Sequence, residues 1–289
     1  MKTTILIVIC SAGWVLQAGA LPLNTGTFTE VIKEVNTLSA ASSAATPAQL
    51  NDVLKAPDRV RTGPDSRAEL TAPDQTITRV GANTVFSFEG NDRTLNLEQG
   101  NVLFHAPKGL GGGTIKSGGA AAAVLGTTLI VSAAADGGFK VILLEGKGAV
   151  TVPSGQSAKL KAGQLVYVLP GGKGLSAVLN INLAKLVAGS QLVNGFPDQL
   201  SSLDLIQQAI QQQQAQIASG NASDTGVSAD AYIQIPPPGN SFSGLDQGDL
   251  QTAVHPQAST LPGQGNVTSG PPPTGYVPVL PHPSAGFAP

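Results

Sequence analysis

Residues 76–104 read TITRVGANTVFSFEGNDRTLNLEQGNVLF, and their pattern decides the fold class. Thr76-Ile77-Thr78-Arg79-Val80 and Thr84-Val85-Phe86-Ser87-Phe88 are β-branched or aromatic at most positions, as pleated and half-buried strands require. Gly81-Ala82-Asn83 and Gly90-Asn91-Asp92 separate them from each other and from the next apolar runs. Glycine and asparagine tolerate the left-handed backbone that tight turns demand.

The same rhythm extends in both directions. Upstream, Arg59-Val60-Arg61 and Arg67-Ala68-Glu69-Leu70 alternate polar with apolar around Gly63-Pro64-Asp65 and Pro73-Asp74. Downstream, short strands are predicted at 95–97, 102–104, 129–131, 140–144, 149–152 and 165–169. Repeated short strands without intervening helices predict an all-β domain over 27–172. The architecture expected is a short-stranded rolled sheet or a β-solenoid. The solenoid alternative draws on a faint echo: Leu95-Asn96-Leu97-Glu98-Gln99-Gly100-Asn101-Val102 resembles Ile142-Leu143-Leu144-Glu145-Gly146-Lys147-Gly148-Ala149-Val150. Ala120 to Ala123 favour helix by propensity. They lead straight into a β-branched run, however, and are read as a strand whose small side chains permit close packing.

The ends have a different character. Met1-Lys2, an apolar run from Ile5 to Leu16 and the small-x-small site Ala18-Gly19-Ala20 form a secretory signal over 1–20, with Leu21 as the expected mature start. The run is too short for a spanning helix, and no later stretch is long enough to cross a bilayer. A periplasmic or secreted protein is therefore expected. Cys10, the only cysteine, lies inside that leader, so disulfides, zinc–thiolate sites and cysteine nucleophiles are excluded from the mature chain.

Residues 176–220 are expected to be helical: two turns near Ile181–Val187 and a helix from Ser202 to Ile217. That helix starts at Ser201 and Asp204, stops at Ser219-Gly220-Asn221, and turns Leu203, Ile206, Ala209, Ile210 and Ile217 to one side. Gln211 to Gln214 make its second half polar, so only the first turns should dock. Residues 221–289, with Pro236-Pro237-Pro238 and Pro271-Pro272-Pro273, are expected to form a disordered tail.

The β region resembles the FecR domain, found in the extracytoplasmic part of bacterial regulators that relay signals from TonB-dependent outer-membrane transporters. Asp58-Arg59-Val60-Arg61-Thr62-Gly63 with Ser66, Ala68 and Leu70 corresponds to its opening strand pair. Asp74, Ile77 and Thr84 follow, then Leu97, Gly100, Val102 and Phe104. Val124-Leu125-Gly126-Thr127 matches the central Gly-Thr turn, and Val141, Glu145-Gly146, Leu160, Ala162, Gly163 and Gln164 the closing strands. The resemblance implies a protein-interaction or regulatory role in the envelope. It does not carry over anti-sigma activity, because a signal peptide stands where those regulators have a cytoplasmic segment and a membrane helix. The small α/β module that contacts the transporter in those regulators has no counterpart in 176–220.

Chemistry is sparse. Fifteen basic and twelve acidic residues lie between 21 and 185, while 186–289 hold six Asp and no base. Such a weak excess does not make a nucleic-acid footprint. His105 reads as a partly exposed strand-end side chain, lacking the nucleophile and orienting carboxylate of a general base. The stretch from Gly109 to Gly113 with Thr114 lacks the Gly-Lys-Ser/Thr of a phosphate loop. Asp58, Asp65 and Asp74 lie beside Gly or Pro as turn formers, without calcium-loop spacing. No cofactor or metal site and no enzyme activity are expected. Arg59, Arg61, Arg67 and Arg79 are candidate partner-binding residues on a shared exposed sheet face, since Arg favours interfaces. The partner expected is an envelope protein whose identity stays open. The alternative function is a structural envelope protein, with the β domain as spacer and the tail as tether.

Overall fold

Alternating apolar and polar side chains, interrupted by glycine and Asp-containing turns, build a strand-rich fold in the computed structural model, which describes residues 21–42, 44–90, 92–134 and 137–222. The expected signal peptide at 1–20 and the tail from 223 onward lie outside the described residues. Four strands precede those read from sequence: β1 (Thr25–Ile32), β2 (Val35–Leu38), β3 (Ala45–Pro47) and β4 (Val53–Lys55). The expected strands follow as β5 (Arg59–Thr62), β6 (Arg67–Thr71), β7 (Ile77–Val80) and β8 (Val85–Glu89). Two further expected strands fuse into one, β9 (Thr94–Ala106). After it come β10 (Gly113–Ser117), β11 (Ala120–Val124), β12 (Thr127–Ala133), β13 (Phe139–Glu145) and β14 (Lys147–Thr151). The last strands are β15 (Ser157–Lys161), β16 (Gln164–Val168) and the two-residue β17 (Leu179–Asn180).

Pairing sorts these strands into two sheets that meet in β9. Sheet A runs β4–β1–β6–β7–β9–β12–β13–β16–β17, and sheet B runs β3–β2–β5–β8–β9–β10–β11–β14–β15. All pairings are antiparallel except β9 with β10. The rolled-sheet alternative is therefore the one realised, since stacked solenoid turns would pair in parallel. The sequence echo marks a different device, the crossing from one sheet to the other. At Gly100 (φ 91°) β9 leaves sheet B for sheet A, and at Gly146 (φ 81°) the chain passes from β13 in sheet A to β14 in sheet B. A Cβ on Gly146 would also lie 2.5 Å from Thr127 Oγ1, so both backbone and space require glycine there.

The two sheets enclose one apolar core. Phe28, Phe86, Phe88 and Phe104 fill it with Leu70 and Leu129, and Phe86 meets Phe88 edge-to-face at 5.6 Å. The alanine run is strand β11, as read from sequence. Ala120 and Ala122 point inward while Ala121 and Ala123 point out, the period of two that a strand imposes.

A second apolar layer seals the opposite face of sheet A. Helices α1 (Leu183–Gly189), α2 (Gln191–Asn194) and α3 (Leu203–Ala218) lay Leu183, Leu192, Val193 and Ile206 over Leu103, Ile130, Ile142 and Leu165. Sheet A is thus buried on both faces, which explains why Leu129–Val131 and Val141–Leu144 are continuous apolar runs. The helix α3 matches the expected one within a residue at either end and docks through its first turns. Its second half is exposed but for Gln213 and Ile217, and Gln213 Oε1 accepts from Leu183 N–H at 2.9 Å while its Nε2 donates to the Ile181 carbonyl at 2.7 Å. The segment expected to be purely helical also supplies β17, which closes the edge of sheet A beside β16.

Candidate interaction surface

The four candidate arginines do not share a face. Arg59 and Arg61 project from β5 to the outside of sheet B, with Val60 and Thr62 pointing inward. Arg67 and Arg79 belong to sheet A, on the side the helices cover. Arg67 is half-buried, and its Nε donates to the Gly195 carbonyl at 3.1 Å. Arg79 is 0% exposed, which overturns its expected place on a solvent face. Its register partner Glu69 supplies an ion pair at 2.7 Å, and its other nitrogens donate to the carbonyls of Leu192, Val193 and Asp198. The Phe196 ring lies 4.4 Å from the guanidinium carbon. This guanidinium fork fastens α2 and the loop after it to the sheet. The carbonyls it reads lie more than a hundred residues downstream, so nothing near Arg79 in sequence announced its burial.

His105 is corrected in the same way. It is 6% exposed rather than partly open, because its strand end lies under the start of α3. Thr128 Oγ1 sits at the centre of the polar cluster there, 2.9 Å from His105 Nδ1, 3.0 Å from Glu145 Oε1 and 2.8 Å from Ser202 Oγ. One hydroxyl proton serves one acceptor. The arrangement is satisfied when Thr128 donates to the Glu145 carboxylate and accepts from His105 Nδ1–H and the Ser202 hydroxyl. Ser202, the residue before α3, is turned toward Thr128 and makes no side-chain cap for the helix. Burial lowers the His105 pKa below its ordinary 6.5. It raises that of Glu145, against the hydrogen bond from Thr128 and the charge of Lys108. With its folded pKa depressed, His105 makes the protein less stable as pH falls below 6.5, because only the unfolded chain takes up the proton. Glu145 acts in the opposite direction at lower pH, through its raised carboxyl. The melting temperature of the native chain should drop between pH 7 and 5.5, and the slope should flatten in a His105→Gln variant. An unchanged slope in that variant would remove His105 as the cause.

The remaining polar motifs resolve into structure. Asp58 Oδ1 accepts from Ala40 N–H at 2.9 Å, Asp74 accepts from Thr76 N–H at 3.0 Å and pairs with Arg93 at 2.6 Å, and Asp65 lies 3.5 Å from Lys33. Among the described residues no three His, Cys, Asp or Glu side chains converge as metal ligands would. The Gly109–Gly113 stretch is the turn into β10, and Gly113 lies against the Phe104 ring.

What stays uncovered by the described residues is the outside of sheet B. One row crosses it through Arg59, Ser87, Asn96, Lys116, Ala121, Thr151 and Ser157, residues in direct register from β5 to β15. Its strands carry six cations outward: Arg59, Arg61, Lys116, Lys147, Lys159 and Lys161. They carry two outward carboxylates, Glu89 and Glu98, which pair with Lys116 at 2.7 Å and Arg59 at 3.4 Å. The small positive excess of the β region is therefore concentrated on a single surface, which no local sequence signal revealed.

Residues 58–147, from the turn before β5 to the first residue of β14, match the family model described as FecR protein. This part of the chain is a FecR domain. The match covers under a third of the sequence, and β1–β4, β15–β17 and the helices lie outside it. Two solved structures are similar, both candidate anti-sigma factors from Parabacteroides distasonis ATCC 8503 determined at 1.65 and 2.50 Å. The first is 21% identical with a TM-score of 0.37, over 42% of this chain and 59% of that one. The second is 21% identical with a TM-score of 0.40, over 47% and 64%. The chain thus spans less than two thirds of either. No curated protein matches it. Among the described residues, no helix is long and apolar enough to cross a membrane.

Proposed function

We propose that this protein is an exported FecR-type module that binds a protein partner in the periplasm or outside the cell, rather than an enzyme. The observation that carries this reading is the contrast between the two outer faces. Among the described residues, the helices seal the outside of sheet A, while the outside of sheet B is left open with a cationic surplus. Arg59 and Arg61 belong to that open surface, and Arg61 is exposed. Arg67 and Arg79 instead hold the helical layer in place.

Removal of residues 1–20 at the Ala18-x-Ala20 site fits this picture. A chain starting at Leu21 keeps its anchors: the Leu21 carbonyl accepts from Arg93 Nη1 at 2.6 Å, and Leu23 is buried.

The test is cross-linking capture from the cell envelope, with residues 21–289 compared against the same chain carrying Arg59→Ser and Arg61→Ser. Both side chains are exposed, so the melting temperature should stay within the range of surface substitutions, about 0.5 kcal/mol in stability. Capture of the specific partner should fall about tenfold. Equal capture would remove these arginines from the contact. Absence of any specific partner would favour the structural spacer, and turnover of a substrate an enzyme.

A further inference from the structure

The edge of sheet B at β15 has an organisation of its own. Val152 N–H donates to the Gln156 carbonyl at 3.0 Å, which sets the parity of the β14–β15 hairpin. Hydrogen-bonded pairs alternate from there through Val150↔Ala158 and Gly148↔Leu160. The intervening pairs Thr151↔Ser157, Ala149↔Lys159 and Lys147↔Lys161 are the non-hydrogen-bonded kind, in which opposed side chains stand closest. Two consequences follow from this parity. The N–H and C=O of Ser157, Lys159 and Lys161 point away from β14, toward the outer edge. And Lys147 and Lys161, like charges, face each other at the closer of the two separations.

Neither feature is compensated within the described residues. Lys161 N–H is taken by Gln164 Oε1 at 3.1 Å, while nothing pairs with the backbone of Ser157 or Lys159 on the edge side. The strands β11, β14 and β15 contain no acidic residue to neutralise Lys147, Lys159 and Lys161. Lysines on an edge strand are a known guard against edge-to-edge aggregation. That accounts for Lys159 and Lys161 but not for Lys147, which lies one strand inside the edge. Its apposition to Lys161 costs stability and guards nothing.

We infer that β15 is a docking edge for an extended acidic segment of a partner protein, which joins sheet B as an added strand. This rests on the reading of the protein as an interaction module. Backbone groups of Ser157 and Lys159 would pair with the incoming strand, as in other strand-addition complexes. Side chains of that strand opposite Ser157, Lys159 and Lys161 recur every second residue and stand on the same face as the lysines. Carboxylates at alternate positions of the segment then meet Lys159 and Lys161 and relieve the repulsion with Lys147.

The probe is a blocked ten-residue peptide alternating Glu with Val or Thr, against the same peptide with Gln for Glu, added to residues 21–289. The Glu peptide should bind, slow hydrogen exchange at the Ser157 and Lys159 amides, and lose affinity about tenfold with Lys159→Glu plus Lys161→Glu. Lys147→Glu should raise the melting temperature, by removing the cross-strand repulsion, and still weaken the peptide. That variant keeps the test sound if the double variant folds poorly. No binding, protection at other amides, or equal affinity of the Glu and Gln peptides would overturn the inference. Aggregation of a Lys159→Val, Lys161→Val variant whose parent ignores the peptide would mean edge protection only, and would overturn it too. If the envelope partner is captured equally by wild type and the Lys159→Glu, Lys161→Glu chain, the interaction module stands and this edge falls. If the peptide binds as described but no envelope partner is captured, the edge stands and the wider reading falls.

Discussion

Replacing Arg79 with Ala is expected to destabilise the protein by about 3–5 kcal/mol, the range for removing one partner of a buried ion pair. Glu69 would remain buried without its counter-charge, and the carbonyls of Leu192, Val193 and Asp198 would lose their donors. Lysine cannot rescue the site, because a single ammonium does not reproduce the planar fork that reaches a carboxylate and three carbonyls together. Replacing Arg79 and Glu69 together with Met should recover much of the loss by removing both charges. Urea unfolding of residues 21–289 measures all three variants. The Arg59→Ser, Arg61→Ser chain is the control and should stay near wild type. A cost below about 1 kcal/mol for Arg79→Ala would mean that α2 and the loop after it are not held by this guanidinium.

Ending the chain at residue 178 should have the larger effect. It removes β17 and the helices and bares Leu103, Ile130, Ile142 and Leu165 on sheet A. Burying such a side chain contributes about 1.5–3 kcal/mol. With Leu183, Leu192 and Ile206 lost from the other side of the contact, the deficit reaches the whole net stability of a typical domain, about 5–15 kcal/mol. The shortened chain should bind a hydrophobic dye and lose its cooperative thermal transition. Retention of a sharp transition would show that the β domain is stable without its helical layer. The same consideration requires that partner capture use the chain with its helices.

Much of the strand order was legible because strands such as β5 and β8 announce themselves by alternation between turn residues. The strands β1–β4, β10, β15 and β17 were not singled out, and their sequences show why. Thr25-Gly26-Thr27-Phe28-Thr29 is largely threonine and glycine, and Ser157-Ala158-Lys159-Leu160-Lys161 has one large apolar residue. Such segments become strands through their neighbours more than by their own propensity. The glycine-marked echo was real as a pattern, but its meaning is a change of sheet, visible only when both sheets are present. The candidate arginines show the limit most clearly. Arg59 and Arg79 occupy similar strands in the sequence, yet one faces solvent and the other lies beneath α2 and the loop after it. Which strands the C-terminal helices cover is a tertiary choice that local sequence does not encode. His105 was misread for the same reason, since Ser202 approaches it from ninety-seven residues away.

The central claim is that the open outer face of sheet B is the working surface. Site-specific photo-cross-linking in the intact envelope tests it most directly. A photoreactive residue is placed at Arg61 or Lys159 on sheet B, or at Gln212 on the exposed side of α3. The account predicts one discrete protein adduct from both sheet B positions and none of that size from position 212. Adducts from position 212 alone, with none from 61 or 159, would contradict it.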